Sequence, residues 1–314
     1  MENQLWRSAA ASDPGSVRSD NQDRGYADQE RGIFLVVDGL GGHAAGEMAA
    51  ETAVEVIRGE LAELNGDVRQ GVRCAIAAAN GRISKLAADN EDWRGMACVL
   101  TLAVIRDGKV TVGHVGDSRL YLIWNGAMRK LTSDHSPVGE REDRGELTEA
   151  EAMAHPRRHE VFRDVGSRPR GANEEDFIEL KEFPFKPDAA ILLCSDGLTD
   201  LVTSAEIREC VEQYDGDPAA VTEALVDAAN RAGGKDNVTV IFVAGPEFLG
   251  SASPEMAEAR ARHSITRMRV GAVAEQAAGI LSRVGGALMS RVAFLIYGFL
   301  IGVVLALAMH WPKP

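Results

Sequence analysis

Apolar and polar positions alternate along this chain in two distinct rhythms. Ile33 to Val37 is a β-rich apolar run that stops at Asp38-Gly39, and Glu47 to Leu64 then shows the alanine-rich, 3.6-residue spacing of an amphipathic helix. A second helix is expected over Val68 to Ala88. Three strand-like runs follow at about 96–106, 109–115 and 119–124, joined by Asp107-Gly108 and by Gly116-Asp117. Connections this short favour antiparallel pairing, because parallel strands need long crossovers. Strands resume near 176–182 and 189–194, helices near 204–213 and 218–231, and a last strand covers Val238 to Val243. The fold class predicted is α+β.

Two stretches break these rhythms. Residues 133–175 are polar, with scattered His, Arg and Pro and a short helix expected near 148–155, so they read as a long excursion of the functional or mobile kind. After Gly245-Pro246 the composition turns to Ala, Ser, Arg and Met, the mark of a partly helical linker over 246–291. Residues 292–309 are then free of charge, about 27 Å long as a helix against a hydrocarbon layer of about 30 Å. Arg283 and Arg291 precede this run and His310-Trp311 follow it, which fits interfacial anchoring better than a buried terminal helix. The expected organisation is a domain over 1–245, the linker, a single transmembrane helix over 292–309 and a short tail, 310–314. Basic residues on the N-terminal side of the span place the domain in the cytoplasm, at the inner membrane. Gly298 and Gly302 have the GxxxG spacing that would permit weak dimerisation by helix pairing.

Charge and cysteine usage narrow the class. The chain's net charge is −13, and the seven basic and three acidic residues of 251–314 leave the preceding domain more acidic still. Such a domain lacks the clustered Lys and Arg needed to neutralise nucleic-acid phosphates, so no nucleic-acid partner is expected. Cys74, Cys98, Cys194 and Cys210 have no metal-finger spacing and are expected to be buried, reduced thiols. His135, His155 and His159 lie in or beside the excursion and are expected mostly to face solvent.

The chemistry is concentrated in five acidic motifs. Of Asn21-Gln22-Asp23, Asp38 to His43, Gly116 to Arg119, Ser195-Asp196-Gly197 and Asp236-Asn237, three end or sit beside a β-like apolar run and two have an aspartate followed at once by glycine, so folding can present their carboxylates at strand ends. Several carboxylates in one place repel one another and call for divalent cations; hard oxygen donors select magnesium or manganese. Two such ions sharing a carboxylate can hold water as hydroxide and offset the charge on a phosphoryl group under in-line attack. Arg18, five residues before Asp23, offers a fork of donors to phosphate oxygens.

In this order and spacing, Arg18 to Asp23, Asp38 to His43, Gly116 to Arg119, Cys194 to Leu198 and Gly234 to Asn237 resemble the metal-dependent serine/threonine protein phosphatases of the protein phosphatase 2C family, bacterial branch, over roughly residues 10–244. The resemblance implies two antiparallel sheets packed face to face with helices outside, in α-β-β-α layers. It also implies roles: Asp38 as the carboxylate shared by two manganese or magnesium ions, Asp196 and Asp236 as ligands of one, and Asp23 with the Gly39 carbonyl in the shell of the other. Asp117 resembles a ligand of a third, weaker ion, Arg18 the phosphate-binding arginine, and Asn237 a residue that orders the site. The family's histidine is variable in position, so whether His43 protonates the leaving oxygen, binds substrate or caps a helix stays open. The excursion at 133–175 matches the family's flap. Phosphorylated proteins are the implied substrates and a eukaryotic-like serine/threonine kinase the implied counterpart. Two other readings stay open: a phosphatase dedicated to one regulator, and an inactive membrane-tethered scaffold that binds phosphoproteins.

Overall fold

The structure, a computed structural model, describes residues 6–64 and 66–250, with His43 and Ala44 described by their backbone alone. Most of the expected linker, the span at 292–309, the tail 310–314 and the Gly298/Gly302 pair lie outside the described residues. Among the described residues no helix is long and apolar enough to cross a membrane.

Two five-stranded antiparallel sheets form the centre. The first runs in the order β1 (Arg7–Asp13), β10 (Val238–Ala244), β9 (Ala190–Cys194), β6 (Arg119–Trp124) and β7 (Ala127–Lys130). The second runs β2 (Arg24–Asp28), β3 (Ile33–Leu40), β4 (Ala97–Arg106), β5 (Lys109–Val115) and β8 (Glu179–Pro184). Because side chains in a strand point alternately to opposite faces, each apolar run feeds two cores. Phe34 and Val36 of β3 face inward and meet Leu120, Ile191, Leu193, Ile241 and Val243 of the first sheet. Ile33, Leu35 and Val37 face outward and pack under α1 (His43–Ala62) and α2 (Val68–Asp89). On the other side Leu192, Val240 and Phe242 pack under α6 (Ser204–Glu212) and α7 (Pro218–Arg231). Burial on both faces explains why the central strands read as continuous apolar runs and not as alternating ones.

The sequence-based elements are present, with instructive additions. β1, β2 and β7 were not anticipated: Arg7–Asp13 and Arg24–Asp28 hold few β-branched residues, and each is a sheet edge held by a single neighbour. α3 (Pro137–Asp143) and α4 (Glu149–Met153) occupy the excursion, the second within its expected range. The expectation that β5 and β6 pair across Gly116-Asp117 is corrected. β5 pairs with β4 and β8, β6 with β7 and β9, and the turn hands the chain from one sheet to the other. Gly116, at φ 111°, adopts the left-handed conformation that this hand-over requires.

The cysteine expectation is also corrected. Cys74 is exposed on α2 and Cys210 is half-buried, leaving Cys98 and Cys194 as the buried thiols. Of the three histidines expected mostly to face solvent, His159 is exposed and His155 half-buried, while His135 is buried between the Gly116 turn and Phe162.

The inward layer carries the sandwich, so truncating it tests the architecture. Phe34→Ala should cost about 3–5 kcal/mol, read as a lower urea midpoint at unchanged slope; a loss under about 1 kcal/mol would contradict its place in a close-packed interior.

Candidate metal centre and active site

The strand registers gather the acidic motifs at one end of the sandwich. The β2–β3 ladder pairs Arg24 with Val37, so Asp23 and Asp38 stand opposite each other one step beyond. Asp38 shares the inward parity of Phe34 and Val36. Across the interface, the β9–β10 ladder pairs Cys194 with Val240, and one step further Ser195 N–H donates to the Thr239 carbonyl at 3.0 Å. Ser195 Oγ then donates to Asp23 Oδ2 at 2.7 Å, joining the two sheets at the site. Asp196 opens the short helix α5 (Asp196–Thr199). Gly197 lets α5 lie against the start of β10, since a Cβ there would collide with the Asn237 carbonyl. Gly39 is held in the same way between the Gly46 and Gln22 carbonyls, which leaves no room for a side chain where β3 turns toward α1.

Arg18 reaches the site from a loop stapled to β10. Asn237 accepts from the Gln22 N–H at 2.8 Å and donates to the Pro14 and Asp20 carbonyls at 2.9 and 2.8 Å. The Gly234 carbonyl accepts from the N–H groups of Ser16 and Val17. Arg18 Nη2 then donates to Asp236 Oδ2 at 2.7 Å, with 52% of its side chain exposed. His43 is the first residue of α1; its side chain lies outside the description.

Burial and like charge act together on the carboxyls. Burial pushes Asp23 up to about 7 against the hydrogen bonds from Ser195 and Thr239, with Asp196 and Asp236 adding to the rise. Burial drives Asp38 well above the usual carboxylate range, and Asp23, Asp196, Asp117 and Asp236 push it further. Asp117 is raised by burial and then by Asp196 and Asp134. Asp23, Asp38, Asp117, Asp196 and Asp236 therefore form one electrostatic group. Among the described residues, an ion pair reaches Asp236 from Arg18 and the His159 ring comes within 4.0 Å of Asp196, but no ion pair reaches Asp23, Asp38 or Asp117. Buried oxygen donors with unbalanced negative charge fit divalent cations such as manganese or magnesium.

The flap completes the site with residues that the motifs did not single out. Gly116 N–H donates to His135 Nδ1 at 3.0 Å, and His135 N–H to the Gly116 carbonyl at 2.6 Å, bracing the turn that presents Asp117. Burial, with His114 and Arg163 nearby, pushes His135 down to about 2, so it is neutral and able to accept. Arg119 Nη2 donates to Asp134 at 2.7 Å and to Glu142 of α3 at 2.9 Å. Asp134 would be raised by burial, but Arg119 and Lys130 hold its carboxyl below the usual range. A cavity of about 30 Å³, enough for one small ion or a water, is lined by Asp117, Asp196, Asp200, Glu149 and Arg158 among others. Asp200 was readable in the sequence, since it follows Asp196 by four residues and so shares its helix face. Arg158 was not, because only the flap's path brings it there. The tight group His114, His135 and Glu179 has both His114 ring nitrogens engaged by Thr101 and Ser133 and His135 Nδ1 by Gly116, and serves as scaffold.

A four-layer sandwich with a carboxylate cluster at one end, covered by a flap, defines a class of metal-dependent phosphatases. The sequence profile of the family Protein phosphatase 2C matches residues 15–228, and the chain belongs to that family. It is 34% identical over 241 residues to the serine/threonine phosphatase stp of Listeria innocua serovar 6a, an alignment covering 74% of this chain and 92% of the relative. The crystal structure of the Mycobacterium tuberculosis serine/threonine phosphatase PstP/Ppp superposes with a TM-score of 0.69 at 33% identity, over 76% of this chain and 98% of that one. The catalytic domain of the serine/threonine protein phosphatase PstP, solved in complex with two manganese ions, matches at TM-score 0.67 and 31% identity, over 76% and 97% of the two chains.

The raised carboxyls set a pH dependence. A carboxyl whose pKa is higher folded than unfolded adds stability below its unfolded value, and that contribution is lost as pH rises through the folded value. Asp23 places this window between 3.8 and about 7. Chelator-treated full-length protein should therefore melt at progressively lower temperature across that window in calorimetry, with manganese restoring the loss at the upper end. A metal-free melting temperature that rises there would contradict the cluster's electrostatics.

Proposed function

We propose that this chain is a divalent-metal-dependent phosphoserine/phosphothreonine protein phosphatase, tethered to the inner membrane with its catalytic domain in the cytoplasm. One observation carries the catalytic reading: five carboxylates converge at the end of the sandwich, and Arg18 stands at its solvent edge on Asp236. Asp38, central to the group, would be shared by two cations, with Asp196 and Asp236 on one and Asp23 and the Gly39 carbonyl on the other. Asp117 would serve a third. When bound, manganese or magnesium supplies the Lewis acidity that turns water into a strong nucleophile at neutral pH and offsets charge on the phosphoryl oxygens.

The chain's own residues do the rest. Arg18, largely exposed, is free to exchange one Asp236 oxygen for two phosphate oxygens, a fork geometry that orients the phosphoryl group. Ser195 and Asn237 hold Asp23 and the Arg18 loop in place, so the fork and the carboxylates keep one geometry. His43, at the N-terminus of α1, is a candidate to protonate the leaving oxygen. The attacking group would be water held at the carboxylate cluster, with no covalent phosphoenzyme. The complete carboxylate set argues against a binding-only scaffold, which has no need of it. The flap at 133–175 would set substrate preference, up to dedication to a single regulator.

The tether rests on the uncharged run 292–309 and its flanking Arg283, Arg291 and Trp311. A eukaryotic-like serine/threonine kinase would supply the phosphorylated substrates.

With manganese, the full-length protein should release phosphate from phosphoserine and phosphothreonine peptides and from an aryl phosphate. Asp38→Asn should lose at least ~100-fold in turnover, as a direct ligand should exceed the effect of outer-shell partners. Arg18→Ala should lower kcat/KM by about ten- to hundredfold, mostly through KM, as expected for a lost charged hydrogen bond. Turnover in Asp38→Asn equal to that of the parent would sink the assignment. For the tether, the protein should stay with membranes through carbonate or high-salt washing and leave only with detergent.

A further inference from the structure

On one edge the His135 ring accepts a hydrogen bond, and on the other it faces only donors. Its Nδ1 accepts from the Gly116 N–H at 3.0 Å, and a neutral imidazole carries a single proton, so that proton sits on Nε2. Arg163 Nη1 lies 3.2 Å from Nε2. A guanidinium has donors only and keeps its charge, so N–H faces N–H across this contact. The other contacts of Arg163 do not relieve it: Nη2 stands 4.0 Å from Asp176, a carboxylate 95% exposed, and Cζ lies over the Phe162 ring.

Arg170, further along the flap, shows the same deficit. Its side chain is only 6% exposed, its buried Nε has no hydrogen-bond partner, and Glu174 stays 4.0 Å away. What it covers is the face of Phe177, with Cζ 5.1 Å from the ring centre. Burial and then His114, Arg163, Lys181 and Arg170 keep the His135 ring neutral, so these cations share its surroundings. Glu179 lies within 4.8 Å of the two histidines but spends its oxygens on Lys181 at 2.7 Å and on the Ser133 N–H at 3.0 Å. The stretch carrying Arg170 is also fixed to α2: Asn80 bonds the Gly166 N–H and the Arg168 carbonyl, and Arg73 donates to the Ala172 carbonyl.

We propose that Arg163, Arg170 and the Nε2–H of His135 form an anion site on the flap, separate from the carboxylate cluster, whose ligand is a small oxyanion such as phosphate. One oxygen shared by Nε2 and Nη1 would replace facing donors with two hydrogen bonds, one of them charge-assisted, and a second oxygen could meet the unused donors of Arg170. Arg163 is 26% and Phe162 43% exposed, which gives the ligand an entry from solvent. Free phosphate, the product of the reaction proposed above, and an acidic group borne by a substrate offer the same oxygens.

The test is calorimetric titration of full-length protein in detergent, stripped of metal by chelator so that no cation in the carboxylate cluster can hold the anion. Inorganic phosphate should bind, and Arg170→Met and Arg163→Met should each weaken it about tenfold, as for a lost charged hydrogen bond. Arg163→Lys should fall between, and Arg18→Ala should bind as the parent does. The His135 Nε2 signal should move in nitrogen-15 spectra as phosphate is added, a shift that a merely structural role for the arginines would not produce. A phosphoserine peptide flanked by glutamates, titrated against Arg18→Ala, separates the sources: peptide binding that needs Arg163 and Arg170, with none of free phosphate, assigns the ligand to the substrate. Binding of neither probe overturns the proposal. So does an affinity unchanged in both methionine variants, in protein whose β3 and β10 hydrogen exchange matches the parent, or phosphate binding lost in Arg18→Ala. No turnover and no metal enter these measurements, so their failure leaves the phosphatase reading standing.

Discussion

Everything at the business end of this protein depends on forcing like charges together. The inward layer of Phe34, Val36, Ile191, Leu193 and Ile241 holds the two sheets face to face, and strand register then leaves Asp23 and Asp38 side by side at its end. Left to themselves these carboxylates would separate or take up protons, and the rise in the pKa of Asp23, Asp38 and Asp117 records that tendency. The apolar interior thus does the work against their repulsion, and divalent cations are what would relieve it. Stability and function are opposed at one place, as they commonly are where a site is pre-organised for charge.

The second constraint is the bracing of the site by neutral and paired groups. Ser195 ties Asp23 across the sheets, Asn237 ties the Arg18 loop to β10, and His135 exchanges two hydrogen bonds with Gly116. Arg119 lies beside Asp117 in sequence yet spends its charge on Asp134 and Glu142, fastening the flap's first helix. These arrangements leave Arg18 and Arg158 as the guanidiniums at the two rims of the cluster. One stands toward solvent, where a phosphate would approach, and the other lies under the flap.

Much of this was legible in the chain. The central strands declared themselves because they are buried on both faces, and the long helices because their apolar spacing is regular over five or six turns. Asp38, Asp117, Asp196 and Asp236 were visible because each sits where a strand begins or ends beside a glycine or asparagine. β1, β2 and β7 were invisible because edge strands need little apolar content, and their pairing is decided by a neighbour distant in sequence. The Gly116 turn looks like a hairpin in the sequence for a related reason: two strands joined by a short turn can join different sheets when each has a better partner elsewhere.

By itself, then, the sequence determined the acidic motifs, their order, the α+β class and Arg18 as their cationic companion, since these follow from residue type and local spacing. Only the tertiary structure decided which carboxylates share one field, that His135 is a buried brace, and that Arg158 belongs to the cluster. The physical reason is range. Local spacing sets which face of a helix or strand a residue occupies, whereas a charge cluster is assembled from chain ends brought together by the burial of a core.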